Sequence, residues 1–490
     1  MLHLSEIPLS KTTLVPPIVQ DLLQQENLNF KSTADRKLLI AQLQLQYNSL
    51  PRNAPVVESI ASLLDENTFT VTTGHQLCLF GGPAYFIYKI VSAISAARIY
   101  SQKYPDKNFV PVFWMASEDH DFEEVNHLYL FGKKIQWQRE AKGAVGRLST
   151  AGLDALLEEI KVLTGDSEVL TILRNAAKEK NLADFTRHFL HHLFGNQGLV
   201  VIDADDAALK NSFSAVITNE FKEKIGKIEV DKTNAVLQEK YKLQVHPKEI
   251  NFFYLDENIR ERFTENDGRN WEQLLLDSPE KFSPNVIYRP LYQEYILPNV
   301  AYVGGPNELA YWFQLKGVFA AHHIAFPQLL LRDSFLVINS NQRKVMSSLN
   351  LCLEDLFLSA EQLKAQYMQG KSELLDSSYF QQLENLFAQI KSAAIKVDGS
   401  LEGAVEAEKA KALKQIEALM GRIKKAEKVR HEIDLNKIDK IKAQLFPEGV
   451  FQERRVNFLE FYAKYGNAYF EALFLNANPL NTCLKVLEEE

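Results

Sequence analysis

Short apolar runs that end abruptly in polar residues recur along the chain. Phe69-Thr-Val-Thr-Thr73 is a β-branched run that predicts a buried strand, and Gly74-His75-Gln76 follows at once. Gly81-Gly82-Pro83 comes next, with Pro83 placed as the first residue of a helix on which Ile87, Ile90, Val91, Ile94 and Ala97 recur at helical spacing. Val110 to Met115 predicts a second strand, which runs into Glu118, Asp119, His120 and Asp121. Gly198-Leu-Val-Val-Ile-Asp203 and Gln328-Leu-Leu-Leu331 read the same way, because strands covered on both faces of a parallel sheet are continuous apolar runs. Val286-Ile-Tyr-Arg289 and Tyr302-Val303 predict two more short strands, the second leading into Gly304-Gly305-Pro306 and a helix from Asn307. Strand, polar turn, glycines and helix, twice over, predict a doubly wound α/β core, in which ligands bind at the carboxyl ends of the strands.

Elsewhere the periodicity is helical. Residues 1–68 read as mostly helical, with amphipathic stretches at Asp35 to Leu50 and Val56 to Leu64. Lys133 to Gln138 predicts one strand of a hairpin, and Leu153 to Leu163, Val169 to Lys178 and Leu182 to Phe194 predict helices. His191-His192 resembles a ligand pair, but adjacent helical residues point apart, so both read as structural. The expected organisation is a core at 1–131, a first insertion at 132–197, a core strand at 198–209, a second insertion at 210–282 and the rest of the core at 283–345. A helical coiled-coil hairpin at 346–446 and a C-terminal segment packed on the core at 447–490 complete it. The second insertion, with its charged stretch Asp256 to Arg269, reads as a mobile surface unit with little core of its own. In the hairpin, Leu383, Leu386, Ile390, Ala393 and Val397, then Leu413, Ile416, Leu419 and Ile423, form a seam suited to helix pairing.

Composition narrows the function. The 490 residues carry a net charge of −8, which argues against a general nucleic-acid surface. Cys78, Cys352 and Cys483 are too few and too far apart for a disulfide framework or a zinc knuckle, and fit a reducing compartment. The start lacks a basic stretch followed by an apolar one, so no signal peptide is expected. No apolar run approaches the ~18 residues of a membrane span. A cytoplasmic protein with neither a nucleic-acid nor a membrane partner is therefore expected.

Thr73-Gly74-His75-Gln76 with Leu79-Phe80-Gly81-Gly82-Pro83 and Tyr88-Lys89, Pro111-Val112-Phe113-Trp114 with Glu118-Asp119-His120-Asp121, and Tyr302-Val303-Gly304-Gly305-Pro306 carry a resemblance. So do Ser283-Pro284-Asn285-Val286 with Arg289-Pro290, and Gln452-Glu453-Arg454 with Asn457. Across nearly its whole length the chain resembles the bacillithiol biosynthesis cysteine-adding enzyme family, BshC. The resemblance implies a cytoplasmic ligase that joins cysteine to the amino group of glucosaminyl-malate. It also implies a Rossmann-like core resembling class I synthetases, with insertions, and a helical hairpin through which two copies form a homodimer.

Amide formation from a free carboxylate needs a leaving group, held anionic phosphates and an unprotonated amine. ATP is the expected cosubstrate, with adenylation and phosphorylation both open. His75, Glu118, Asp119, His120 and Asp121 are the catalytic candidates. Thr73, Gly74, Gln76, Gly81, Gly82, Tyr88, Lys89, Arg289, Tyr302, Gly304, Gly305 and Asn307 are candidates for binding substrate or nucleotide. Arg289 suits a malate carboxylate, since its planar fork pairs in bidentate fashion. The acidic cluster also permits a divalent ion, and with it a second reading, a metal-dependent amidohydrolase or deacetylase built on Asp119, His120 and Asp121. A third is a non-catalytic scaffold whose working part is the hairpin.

Overall fold

The computed structural model describes residues 2–23, 28–265, 267–369 and 378–489; residues 370–377 of the expected hairpin lie outside the described residues. The chain forms two compact units, 1–338 with 450–490, and 339–449.

The first unit is built on a five-stranded parallel sheet. Its strands are β1 (Thr68–His75), β2 (Asn108–Met115), β3 (Val200–Asp203), β4 (Asn299–Gly304) and β5 (Gln328–Leu331), ordered β5-β4-β1-β2-β3. This is the doubly wound Rossmann order. The chain builds outward from β1 in one direction, then crosses back to build outward in the other, so β1 and β4 flank the switch point. The threonines of β1 are buried and satisfied: Thr73 Oγ1 donates to the Val303 carbonyl at 2.7 Å. Helix α1 (Tyr85–Lys103) links β1 to β2 and is buried along most of its length.

Near Arg289 the expected strand is replaced by a helix. Asn285 Oδ1 accepts from the backbone N–H groups of Ile287 and Tyr288, at 2.9 and 3.3 Å, and α2 (Tyr288–Ile296) begins there. Pro290 sits in the first turn, where its missing N–H costs nothing. The cap and the proline outweigh the β-branched letters, and place Arg289 on a helix rather than at a strand end. After β4, Pro306 opens α3 (Pro306–Trp312), as the Gly-Gly-Pro pattern predicts.

Both insertions are packed. The helices Leu153–Thr164, Glu168–Ala176 and Leu182–Phe194 share one apolar core with α1 and with the C-terminal helices Phe458–Tyr465 and Asn467–Asn476. His191 Nε2 meets the Pro51 carbonyl at 2.9 Å, a structural role. The second insertion has a core after all: Phe221, Phe252, Phe263 and Phe282 are buried, with Phe263 stacked on Phe282 at 5.0 Å. These aromatics hold a three-stranded sheet in which Phe252–Asp256 lies between Ile259–Arg262 and Phe282–Pro284.

The helical reading of the N-terminal stretch also needs correction at its start. Leu2–Pro8 is a strand, antiparallel to Cys483–Glu489, which in turn lies parallel to Ser334–Ile338. Buried Lys485 pairs with buried Asp333 at 2.5 Å beneath this sheet.

The second unit is helical. In α4 (Ser378–Val397) and α5 (Glu402–Arg430) the chain folds back on itself at Asp398, whose carboxylate accepts from Ser400 N. Lys391 bridges the two helices to Glu402 and Glu406 at 2.7 and 3.0 Å. A third helix, α6 (Glu432–Leu445), contributes Ile438 to a small core with Leu349 and Leu363. Among the described residues, no helix is long and apolar enough to cross a membrane.

Candidate functional site

A cavity of about 640 Å³ opens at the carboxyl ends of β1, β2 and β4, against the switch point. The parallel register sets His75 beside Met115, so the two polar strand exits emerge on one rim. Gly74, His75 and Gln76 from β1 and Glu118 and Asp119 after β2 line one side. Arg289, Tyr302, Gly305, Asn307 and Glu308 line the cavity too, with Arg289 close to Gly74. Gln76 joins the first two exits: its Nε2 donates to Asp119 Oδ2 at 2.7 Å and to Glu124 Oε2 at 2.8 Å.

His75 is a neutral imidazole. Its Nδ1 lies 3.0 Å from the Gln76 carbonyl, which only accepts, so Nδ1 carries the proton and Nε2 accepts from the Tyr85 hydroxyl at 3.2 Å. Burial, helped by the charge of Lys89, pushes its pKa down to about 4. Cys78 Sγ stands 3.6 Å from Nδ1, but burial pushes this thiol up to about 12, so it remains a thiol.

The two carboxylates are tuned apart. Burial raises the Glu118 pKa, and the buried ammonium of Lys210, 2.6 Å away, reverses this only in part. Lys210 is shared with Asp205, which Arg147 grips in bidentate fashion at 2.7 and 2.9 Å. Burial also works on Asp119, but hydrogen bonds from Gln76, the Arg260 charge and the backbone N–H groups of His120 and Asp121 outweigh it. Its carboxyl is held below the ordinary value.

Half of the lysines and arginines lining the cavity come from the second insertion. Arg260 lies over the Phe253 ring, 4.1 Å from its centroid, and Arg262 and Lys248 line the same wall. Arg332, just after β5, is clamped by Glu453 at 2.6 and 3.1 Å, and its buried Nε has no hydrogen-bond partner. Arg454 completes this side.

Several sequence candidates sit elsewhere. His120 stands behind the lining, its Nδ1 accepting from Arg260 Nη1 at 3.0 Å, and Asp121 is exposed at the start of a short helix. Thr73 and Tyr88 are structural, Tyr88 accepting from the Tyr469 hydroxyl at 3.1 Å. Lys89 is buried in an ion pair with Glu308. Gly81, Gly82 and Gly304 serve the backbone. Gly82 has φ +51°, and a Cβ there would lie 2.5 Å from Cys78 Cβ, while one on Gly304 would lie 2.7 Å from Leu309. Among the described residues no group of three or more His, Cys, Asp or Glu side chains could hold a metal ion, so Asp119, His120 and Asp121 do not form the set that an amidohydrolase centre needs.

The residues missed from sequence are Tyr85, Arg260, Arg262, Lys248, Arg332 and Arg454. One signal was available: Arg260 and Arg262 are two apart in a strand, and so share one face.

Two family models together match nearly the whole chain. Residues 19–333 match the bacillithiol biosynthesis BshC N-terminal Rossmann-like domain, and residues 335–489 the BshC C-terminal coiled-coil domain. A Flavobacterium psychrophilum protein named "Putative cysteine ligase BshC" is 40% identical over 487 residues, covering 95% of this chain and 91% of its own. Proteins of the same name from Cytophaga hutchinsonii and Bacillus cereus are 40% and 28% identical, over 88% and 91% of this chain and 85% and 88% of theirs.

Proposed function

The chain belongs to the bacillithiol biosynthesis BshC family, and from that premise we propose that it is an ATP-dependent cysteine ligase acting on the amino group of glucosaminyl-malate. The observation that carries the reading is the convergence of His75, Gln76, Glu118 and Asp119 with Arg289 on one cavity at the switch point.

The roles follow from the environments. Arg289 presents a guanidinium to a malate carboxylate, and Arg260 and Arg262 line the same cavity. Asp119, held ionised, anchors the substrate amine. Glu118, whose carboxyl is pushed up, is the better proton acceptor when that amine attacks. Carboxylates with diverging environments divide such labour. Tyr85, oriented by neutral His75, offers a hydroxyl at the same rim. Arg332, with its unsatisfied Nε, and Arg454 are the residues that would meet nucleotide phosphates. ATP would supply the leaving group on the cysteine carboxylate.

The reading places the protein in the reducing cytoplasm, where cysteine and ATP are available. The apolar seam of the hairpin fits pairing with a second copy, so the assembly proposed is a homodimer.

Purified protein given ATP, cysteine and glucosaminyl-malate should release the cysteinyl amide, detected by mass. Glu118→Gln should suppress it. Absence of product with every nucleoside triphosphate would overturn the assignment.

A further inference from the structure

The partner that Arg289 Nη1 finds inside the protein is an amide. It donates to Gln293 Oε1 at 3.1 Å, one turn further along α2. Gln293 is fully buried, and its Nε2 donates to Glu294 Oε1 at 2.7 Å. Asn299, at the start of β4, donates from Nδ2 to the same oxygen at 2.8 Å. Its own Oδ1 is taken by the hydroxyls of Thr70 and Thr72, at 3.0 and 2.8 Å. Every direction in this chain is fixed. An arginine has no acceptor, so it must meet the oxygen of Gln293, and the amide nitrogen must then find an acceptor behind it. Glu294 supplies that acceptor. It is 5% exposed and lines a second cavity of about 290 Å³ around Asn299, the residue that opens β4.

We propose that Gln293 and Glu294 are positioning residues for the carboxylate clamp, a one-way hydrogen-bond chain running from a separate cavity to Arg289. The proposal rests on the reading that Arg289 binds a substrate carboxylate. Remove the acceptor at 294, and the Gln293 amide is free to turn its nitrogen toward the guanidinium and push it aside.

Burial pushes the Glu294 carboxyl up to about 8, against the pull of Gln293, Asn299 and Arg289. At pH 7 the acid is mostly neutral. Because Oε1 receives two N–H groups, the proton sits on Oε2. Ionisation above pH 8 puts a negative charge behind Arg289 that competes with the substrate carboxylate for the same cation. Lys31 and His323 are the other ionisable groups facing Glu294, across the second cavity. Asn299, Thr70 and Thr72 are uncharged.

The test is binding of glucosaminyl-malate, and of malate alone, by calorimetry from pH 6.5 to 9.5, with KM and kcat measured in parallel. In the wild type the affinity should step down as pH passes 8. Glu294→Gln, which reproduces the neutral acid, should match the wild type at pH 7 and lose the step. Glu294→Leu should bind about tenfold more weakly at pH 7, with KM moving more than kcat, the effect of misaligning one charged hydrogen bond. Binding that needs Arg289 but ignores Glu294→Leu, or that keeps its step in Glu294→Gln, would overturn the relay alone. Binding unaffected by Arg289→Ala would overturn the clamp reading and the relay with it.

Discussion

Lys89 and Glu308 form an ion pair of 2.7 Å that ties α1 to α3 across the switch point of the sheet. Lys89 Nζ also donates to the carbonyl of Gly74, and Glu308 Oε2 accepts from the backbone N–H of Gly305 at 2.7 Å. The pair therefore fixes the two glycine turns that face each other over the cavity. The lysine is consumed in doing so, which is why it contacts no ligand space although it follows a Gly-Gly-Pro turn.

Removing one partner should be costly. Lys89→Met leaves the Glu308 carboxylate, 29% exposed at the cavity, without its cation, and we expect a loss of about 1–3 kcal/mol in urea denaturation. Adding Glu308→Gln should recover part of it. A loss below about 1 kcal/mol in the single variant would show that solvent, not Lys89, supports the carboxylate.

His75 predicts a pH dependence of stability. Its folded pKa of about 4 lies below the 6.5 of the unfolded chain. The unfolded state therefore binds the extra proton between those values, and stability falls as pH drops through that window. Between pH 7 and pH 5 the wild type should lose about 2 kcal/mol more than His75→Gln. Equal losses in the two proteins would mean that the imidazole is not held neutral.

Lys210 predicts a shift in the rate profile. It is buried between Glu118 and Asp205, and Lys210→Met removes the only nearby cation that opposes the effect of burial on Glu118 as strongly. Glu118 should then hold its proton to higher pH, moving the acid limb of kcat/KM upward. A variant that is slower throughout, with an unmoved limb, would assign the limb to another group.

How much of this was legible depended on whether a signal was local. The runs Phe69 to Thr73 and Val110 to Met115 announced their strands because both faces are covered, and each polar exit followed in the next few letters. Leu2–Pro8 gave no such notice, because its partner is Cys483–Glu489, almost the whole chain away. Lys89 and Tyr88 were placed correctly on a helix, yet which face met the cavity was decided by Glu308 and Tyr469, remote in sequence. Arg260 and Arg262 looked like part of a solvated charged stretch. The buried aromatic core of Phe221, Phe263 and Phe282 packs behind their strand, and Arg260 is tied to Ser283 and Pro284.

The hairpin carries the last prediction. At ~1.5 Å per residue, α4 and α5 extend about 30 and 43 Å, and among the described residues neither contains a buried side chain. Leu386, Ile390 and Leu419, seam positions in the sequence, remain 51%, 43% and 54% exposed. Two helices that bury so little against each other gain little from packing, the main support of a helix in water. Charged flanks such as Lys391 with Glu402 and Glu406 add about 1 kcal/mol or less each. A second hairpin laid on the seam would cover these side chains at roughly 25 cal/mol per Å² of apolar surface. Leu386→Asp with Leu419→Asp should therefore break the proposed dimer into monomers in light scattering and lower helicity by circular dichroism, while leaving binding of glucosaminyl-malate intact. An unchanged mass in the double variant would separate the seam from assembly and assign those exposed leucines to another surface.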